Sequence, residues 1–324
     1  MATTLAPPAR IWKGAVAAAV QAPSIHNSQP WRFVAEGDRL HLYADPRRQL
    51  QEVDPTGRSL HLSCGAALMH VELAVHAAGR DCLISLLPDP DDRLLLATIT
   101  LGGERSRTIV ERRLAGAIVK RHTHRQPFTG EPVPAPVLHQ WRHGVAGRGA
   151  WLHVLYRSED LVLVNALLAQ ADEAERCDPA YLEELAAWTR DDGHQGVPAR
   201  AWRDSDSVSC VPLREFGNRP QGGESADAPP PVERPQLVLI GTDDDDPRAW
   251  LRAGMAMEWL LLAATASGLA ASPLTQVLDW PAYRTRVAPL LGLSGYVQMI
   301  LRVGYPTTDV TTPRRPLSDV FSVS

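Results

Sequence analysis

A polar loop at residues 21–33, QAPSIHNSQPWRF, holds the densest group of side chains that could bind a ligand. Pro23 and Pro30 push the residues before them out of the right-handed helical region, so a helix must stop near residue 21 and a strand can begin only at Trp31. Between the prolines stands a row of hydrogen-bond donors and acceptors: Ser24, His26, Asn27, Ser28 and Gln29. Trp31 and Phe33 anchor the far end in a core. A rigid polar loop of this kind suits a planar ligand rich in heteroatoms.

This loop resembles the APSSxNxQPW loop of the nitroreductase-fold flavoproteins. The matching residues are Ala22, Pro23, Ser24, Asn27, Gln29, Pro30 and Trp31, while Ile25 and His26 fill the variable places. The resemblance implies that the loop lies along the ring and ribityl chain of a bound FMN, supplied across a dimer interface by the other subunit. It makes Pro23, Ser24, Asn27 and Gln29 candidate cofactor-binding residues.

Residues 117–134, AIVKRHTHRQPFTGEPVP, resemble a second motif of the same family, a helix followed by R-[RH]-[ST]-x-[RK]-x-F. The matching residues are Arg121, His122, Thr123 and Arg125, with Phe128 displaced by one place. In the family these residues hold the FMN phosphate. The chemistry agrees, because a phosphate dianion prefers guanidinium and hydroxyl donors, and Arg121 and Arg125 bracket Thr123.

Two further segments resemble family motifs. Residues 268–277, GLAASPLTQV, resemble the segment that passes the reactive edge of the flavin. This implies that Pro273 and Leu274 lie against the ring and that the Thr275 N–H lies near flavin N5, which makes Thr275 the candidate catalytic position without requiring its side chain. Residues 304–306 and 312–320 resemble the C-terminal signature, whose basic residue reaches the phosphate. Either Arg314 or Arg315 could take that role.

The elements that must position these residues alternate between helix and strand. Apolar periodicity predicts helices over residues 11–21, 59–78, 106–120, 160–175, 180–189 and 250–267. Strands are predicted over residues 31–35, 39–43, 83–87, 94–101, 151–157 and 236–241, the first two forming a hairpin. Helix 59–78 is apolar on nearly all faces, which predicts a central buried position.

An internal repeat indicates a duplication. Gly65 and Gly79 bracket the first central helix, and Gly254 and Gly268 bracket a second one at the same separation. The loop motif occurs only in residues 1–105, whereas the phosphate and flavin-edge motifs occur only in residues 106–324. We therefore predict an α+β, nitroreductase-like fold whose two tandem halves form an intramolecular pseudo-dimer with one FMN. This arrangement resembles the Acg-like branch of the superfamily.

Residues 191–235 have the weakest pattern of regular structure, with Pro198, Pro212, Pro220 and a run of three prolines among glycines and charges. A structureless segment of this length in a compact protein is usually a functional lid or plain disorder. We therefore expect an insertion in the second half that acts either as a lid over the flavin or as a solvated linker.

The composition of the chain limits the kinds of molecule and metal that this protein is expected to bind. The formal net charge is −4 over 324 residues, with a pI near 6.3, which offers no general attraction to nucleic acid or to an anionic membrane. The four cysteines show no ligand spacing, and His61, His70 and His76 on the predicted central helix have no matching carboxylate or cysteine, so no metal is expected. The apolar run near the start is short for a secretory signal, and a cytoplasmic location is expected. P-loop, GxGxxG and hydrolase motifs are absent from the sequence.

The resemblance implies an FMN-dependent NAD(P)H oxidoreductase of nitroreductase type. Hydride would pass through flavin N5 to small nitroaromatic or quinone-like acceptors. The alternative is a lidded protein that holds flavin with little or no turnover, because a lid over a single site could exclude nicotinamide. In either case we expect a monomer that mimics a homodimer.

Overall fold

The computed structural model describes residues 7–189, 193–198, 208–209, 211, 214, 232–233, 235–308 and 311–324. Within residues 1–105, the helices are α1 (Pro7–Ala19) and α2 (Arg58–Ala77), and the strands are β1 (Trp31–Glu36), β2 (Arg39–Ala44), β3 (Arg80–Leu86) and β4 (Leu95–Glu104). Trp31, Phe33 and Ala35 point into the core along β1 while their neighbours do not, as the period of a half-buried strand requires.

The helices of residues 106–324 are α3 (Ile109–Ala117), α4 (Ala135–Ala146), α5 (Ser158–Arg176), α6 (Pro179–Ala187), α7 (Pro247–Ala266), α8 (Gln276–Asp279) and α9 (Pro281–Leu290). The strands are β5 (Trp151–Val154), β6 (Val208–Ser209), β7 (Val232–Glu233), β8 (Gln236–Thr242), β9 (Ala270–Pro273), β10 (Tyr296–Gly304) and β11 (Phe321–Val323). Helix α3 starts later than predicted because Thr108 and Glu111 form a capping box that sets its first turn.

The strands form two larger sheets. One has the order β11-β1-β2-β4-β3 and the other β5-β8-β10-β9, while β6 and β7 pair with each other. Strand β11 was not predicted, and it lies parallel to β1 with Phe321 opposite Phe33. The end of the chain therefore completes the sheet built by its beginning, which brings the C-terminal residues 311–320 next to the loop at residues 21–33.

Helices α2 and α7 pack against each other at a pair of glycines. Gly65 and Gly254 occupy the same place in two helices of 20 residues each. A Cβ on Gly65 would lie 2.2 Å from the Leu251 carbonyl oxygen, and one on Gly254 would lie 2.1 Å from that of Leu62. Only glycine permits this approach of the two backbones.

The two helices also end alike. Gly79 and Gly268 follow them with φ of +78° and +76°, the left-handed conformation in which a glycine commonly stops a helix. The bracketing glycines of the predicted repeat therefore have matching structural roles in both helices.

Two hydrophobic clusters organise the core. The larger one runs from α1 and the first sheet through α2 and α7 to one face of the second sheet. The smaller one joins the other face of the second sheet to α5, α8 and α9. Strand β8 contributes to both, because Val238 and Ile240 lie in the larger cluster while Leu237 and Leu239 lie in the smaller one. The second sheet is thus buried on both faces.

The predicted α+β fold class is confirmed, and the long elements match their predicted positions to within a few residues. Helices α4, α8 and α9 were not predicted. Strand β5 ends at Val154, three residues before its predicted end, and helix α5 begins at Ser158. Among the described residues of the segment 191–235, β6 pairs with β7, and most of the remainder lies outside the described part of the chain. No helix of the described residues is long and apolar enough to cross a membrane.

Candidate functional site

The loop at residues 21–33 has an unusual backbone. A short 3₁₀ helix covers Ile25–Asn27, and His26, Asn27 and Gln29 have φ of +43°, +56° and +50°. Such values are uncommon for residues with a Cβ and concentrate at functional sites. The Ser24 hydroxyl supports the turn by accepting the Gln29 N–H at 2.9 Å, and the Ser63 hydroxyl accepts the Ile25 N–H at 3.1 Å. Ser24 therefore shapes the loop through its side chain.

Asn27 and Gln29 connect the loop to two other segments. The Asn27 amide donates to the carbonyl oxygens of Gly196, at 3.1 Å, and Pro313, at 3.0 Å. The Gln29 amide donates to the His194 carbonyl oxygen at 2.7 Å. The loop is consequently held between residues 193–198 and the C-terminal residues 311–320, which are far from it in sequence.

Arg121 and Arg314 converge beside the loop. Both guanidiniums donate to the Gln21 carbonyl oxygen, at 3.0 Å and 3.1 Å. Arg121 is 3% exposed, and its Nε lies 3.2 Å from Glu258 Oε1 in an ion pair. Glu258 Oε1 also lies 2.6 Å from His70 Nε2, and both of those side chains are fully buried. We call Arg121, Arg314, Glu258 and His70 the cationic cluster.

The cationic cluster holds more positive than negative charge. Burial, followed by the proximity of Arg121, lowers the pKa of Arg314 to about 9. Burial also lowers the pKa of Arg121, while Glu258 opposes that shift. The Arg314 Nε is buried and has no hydrogen-bond partner among the described residues. Two guanidiniums thus share one carboxylate, and one of them keeps an unused donor.

His122 lies next to this cluster, and Thr123 joins strand β9. His122 Nδ1 is 3.4 Å from the Thr312 hydroxyl, which accepts from Arg314 Nη1 at 2.7 Å. Thr123 forms a β-bridge with Ala271, and the following backbone N–H donates to the Ala271 carbonyl oxygen at 3.0 Å. The phosphate motif is therefore attached to strand β9 at Ala271, two residues before Pro273.

The flavin-edge segment leaves β9 and enters helix α8. Pro273 pairs with Leu301 in β10, and the Leu274 N–H donates to the Ile300 carbonyl oxygen at 2.9 Å. The Leu274 side chain is buried in the smaller hydrophobic cluster. Thr275 stands before the first residue of α8, a position whose N–H takes no part in the helix hydrogen bonds.

A second charged group lies at Thr275. Arg214, from the segment 191–235, donates to the Thr275 hydroxyl at 3.1 Å and lies 3.2 Å from His26 Nε2. It also forms ion pairs with Glu175 and Asp279. We call Arg214, Glu175 and Asp279 the acidic cluster. Burial, then Arg214 and Arg125, lowers the pKa of His26, so its ring is neutral and can accept from Arg214.

The structure places Arg314, Arg315 and Arg125 in different surroundings, although the sequence motifs suggested a shared role at the phosphate. Arg314 belongs to the cationic cluster, whereas the Arg315 N–H donates to Gln29 Oε1 at 2.8 Å and its guanidinium to the Gln29 carbonyl oxygen at 3.2 Å. Burial, followed by the proximity of Arg302 and Arg214, lowers the pKa of Arg125 to about 10. Arg315 therefore holds the loop, and Arg125 stands closer to the acidic cluster.

Sequence reasoning missed Glu258, Glu175, Asp279 and Arg214. Glu258 gave a usable signal, because it is the single carboxylate in the otherwise apolar run of helix α7. His70 lies in the core, but the expectation that it has no matching carboxylate is wrong, because Glu258 Oε1 lies 2.6 Å from its Nε2. The described residues contain no group of histidine, cysteine or acidic side chains that could hold a metal ion.

Comparison with known proteins identifies the family. Residues 155–305 match the model of the Nitroreductase family. A Mycobacterium tuberculosis protein named "Putative NAD(P)H nitroreductase Rv3131" is 39% identical over 313 residues, covering 93% of this chain and 88% of that protein. This chain belongs to the nitroreductase family. It is also similar to "Putative NAD(P)H nitroreductase acg" of the same organism, with 34% identity over 96% of this chain and 95% of the relative.

Among solved structures, this chain is similar to a nitroreductase with bound FMN from Desulfitobacterium hafniense. The TM-score is 0.40 and the identity 14%, over 64% of this chain and 95% of that one. The likeness to acg extends over nearly the full length of both proteins, which confirms the resemblance to the Acg-like branch.

Proposed function

We propose that this member of the nitroreductase family binds one FMN between its two halves and uses NAD(P)H to reduce small nitroaromatic or quinone-like acceptors. The observation that carries the proposal is the cationic cluster, which lies between the loop at residues 21–33 and strand β9. Two partly or fully buried guanidiniums with a single carboxylate require an anion for charge balance.

The phosphate of FMN fits this requirement. Arg121 and Arg314 supply guanidinium donors, including the buried Arg314 Nε that lacks a hydrogen-bond partner among the described residues. His122 lies at the same place, beside the hydroxyl of Thr312, and Thr123 follows it in the chain. Charge-assisted bonds from arginine to phosphate are among the strongest hydrogen bonds in proteins. We assign Arg314, rather than Arg315, to the phosphate.

The remaining candidate residues would position the ring. Pro23, Ser24, Asn27 and Gln29 shape a buried loop on one side, and Pro273, Leu274 and Thr275 form the turn from β9 into α8 on the other. The Thr275 N–H, which is not used by helix α8, is available to a ring nitrogen. When bound, FMN supplies the hydride-transfer chemistry, while these residues bind, orient and shield it from water.

The pseudo-dimer is part of the same proposal. The loop comes from residues 1–105, whereas Arg121, Thr275 and Arg314 come from residues 106–324, so neither half contains a complete site. The matched glycines of α2 and α7 support a duplication, because they place equivalent residues at the helix crossing. A single complete site predicts one FMN per chain.

A second function, flavin holding with little turnover, is favoured by one observation. Arg214 lies between His26 and Thr275, and residues 193–198 contact Asn27 and Gln29. If the FMN ring lies between the loop and Thr275, this described part of the segment 191–235 would lie over the ring and hinder the approach of nicotinamide. This supports the lid interpretation over a linker.

Flavin content and turnover test the two functions together. Protein purified from a flavin-sufficient host should be yellow and should release one FMN per chain on acid denaturation. NADH and NADPH oxidation should then be measured with a nitroaromatic and a quinone acceptor. Acceptor-dependent oxidation supports the reductase, and full flavin content without oxidation supports the holding function. Two FMN per chain contradicts the pseudo-dimer, and no FMN after reconstitution contradicts both functions.

A further inference from the structure

The acidic cluster encloses one guanidinium between two carboxylates. Arg214 Nη2 lies 2.6 Å from both Glu175 Oε1 and Asp279 Oδ2, and Arg214 Nε lies 3.1 Å from Glu175 Oε2. The three side chains are only 9%, 4% and 1% exposed. Glu175 comes from helix α5 and Asp279 from α8, so the pocket is built by the body of the second half. Only Arg214 comes from the segment 191–235.

The pocket also has an aromatic wall. The Arg214 guanidinium carbon lies 5.8 Å from the centre of the Tyr181 ring, and Tyr181 stacks on Trp280 with 6.3 Å between ring centres. Facing carboxylates and an aromatic surface together favour a flat organic cation, because a planar guanidinium or amidinium can pair with both.

The carboxylates keep capacity for a further donor. Asp279 Oδ1 has no hydrogen-bond partner among the described residues, although its side chain is 1% exposed. Burial raises the pKa of Asp279; Arg214 opposes that shift and Glu175 adds to it. Arg58 also lies near Asp279, but its guanidinium donates to the carbonyl oxygens of Gln298 and Leu278. Arg125 is the other cation near Arg214.

The pocket is adjacent to the proposed reaction site. Arg214 Nη1 contacts both His26 of the loop and Thr275 of the turn into α8. A cation that replaced this guanidinium would place whatever it carries beside Thr275. If Arg214 left without a replacement, two buried carboxylates would remain side by side, and that arrangement is unfavourable. We therefore expect the Arg214 guanidinium to leave the two carboxylates when another cation takes its place.

We propose that Glu175 and Asp279 form a subsite for planar organic cations of the amidinium or guanidinium type, which Arg214 occupies until such a ligand displaces it. The identity of the reaction rests on the proposed function, and this inference adds the class of acceptor. Aromatic acceptors that carry an amidinium group should be preferred over neutral ones of the same shape.

Binding can be tested without turnover. Benzamidine and its neutral isostere benzamide should be titrated into the protein as purified, by calorimetry. Benzamidine should bind roughly tenfold or more tightly than benzamide, as expected for a charge-assisted pair. Arg214→Ala should increase the affinity for benzamidine about tenfold further by removing its competitor, and Asp279→Asn should abolish the preference. Arg157→Ala, which alters an exposed ion pair with Glu159, is the matched control and should leave the preference unchanged.

Turnover provides a second readout. The kcat/KM for 4-nitrobenzamidine should exceed that for 4-nitrobenzamide, and the ratio should rise in Arg214→Ala. If neither compound is reduced, the nitroaromatic part of the proposed function fails, while the calorimetric preference still decides on the cation subsite. Should Arg214→Ala not fold, Arg214→Gln removes the same charge and keeps a planar group. Equal binding of benzamidine and benzamide by the parent and by the Arg214 variant overturns the inference, as does a preference retained in Asp279→Asn.

Discussion

The two arginine clusters beside the loop at residues 21–33 contain the same cation but opposite balances of charge. In the cationic cluster, Arg121 and Arg314 share the single carboxylate of Glu258. In the acidic cluster, Arg214 forms ion pairs with both Glu175 and Asp279. A buried group of charges is stable only when it is compensated. The first cluster therefore suits an anion such as phosphate and the second suits a cation, so the number of neighbouring carboxylates, not the arginine itself, indicates the ligand.

The largest effect should come from Glu258→Gln, which removes the only carboxylate of the cationic cluster. The two guanidiniums would then be uncompensated, and we expect the free energy of unfolding of the flavin-free protein to fall by about 3–5 kcal/mol. Urea denaturation measures this change. Glu159→Gln, in an exposed pair with Arg157, is the control and should leave stability nearly unchanged. A loss no larger than that of the control would mean that the charge of Glu258 does not determine the stability of the cationic cluster.

Asp54 lies near Asp279 of the acidic cluster and near Arg58. Its titration predicts that the free energy of unfolding depends on pH. Burial raises the pKa of Asp54 to about 6 in the folded protein. The folded state thus binds the proton of the Asp54 carboxyl more tightly than the unfolded state does. The contribution of Asp54 to the free energy of unfolding is therefore greatest below about pH 4 and falls as pH rises toward 6.

The expected loss from Asp54 over that window is about 3 kcal/mol, since the two pKa values differ by about 2 units. Urea denaturation of the parent and of Asp54→Asn from pH 4 to pH 6.5 measures it. The difference between the two proteins should change with pH in the direction given. Parallel pH profiles would show that Asp54 does not titrate in this range.

A smaller effect is expected from Arg121→Ala, which removes one phosphate donor. The loss of a charge-assisted contact of roughly 1.5–3 kcal/mol should weaken FMN binding about ten- to hundredfold. Riboflavin lacks the phosphate and should be affected much less. Fluorescence titration with both flavins measures the two affinities. Similar losses for FMN and riboflavin would place Arg121 away from the phosphate.

The smallest difference between the two flavins should appear in Arg125→Ala. The sequence grouped Arg125 with Arg121, but the structure sets it beside Arg214 and Arg302. We therefore expect FMN and riboflavin to lose affinity to a similar extent, by less than about tenfold. The same fluorescence titration checks this, with Arg121→Ala as the reference. A loss of affinity for FMN but not for riboflavin would mean that Arg125 contacts the phosphate.

Much of the fold was predictable because the patterns are local. The prolines at positions 23 and 30 set the ends of the loop, and β1 begins at Trp31 as predicted. The glycines of the repeat marked both central helices, which have equal lengths and similar ends. Helices α8 and α9 escaped prediction because α8 is only four residues long and α9 contains Pro289, so neither shows a clear period.

The sequence by itself determined which residues carry the family motifs, with the loop motif in residues 1–105 and the phosphate motif in residues 106–324. Only the tertiary structure decided which arginine belongs to which cluster. Arg314 and Arg315 are neighbours in sequence, yet one joins Arg121 and the other holds Gln29. The partners Glu258, Glu175 and Asp279 follow from long-range packing of α5, α7 and α8. Charge balance depends on distances in space, and residue order does not specify those distances for buried groups brought together by folding.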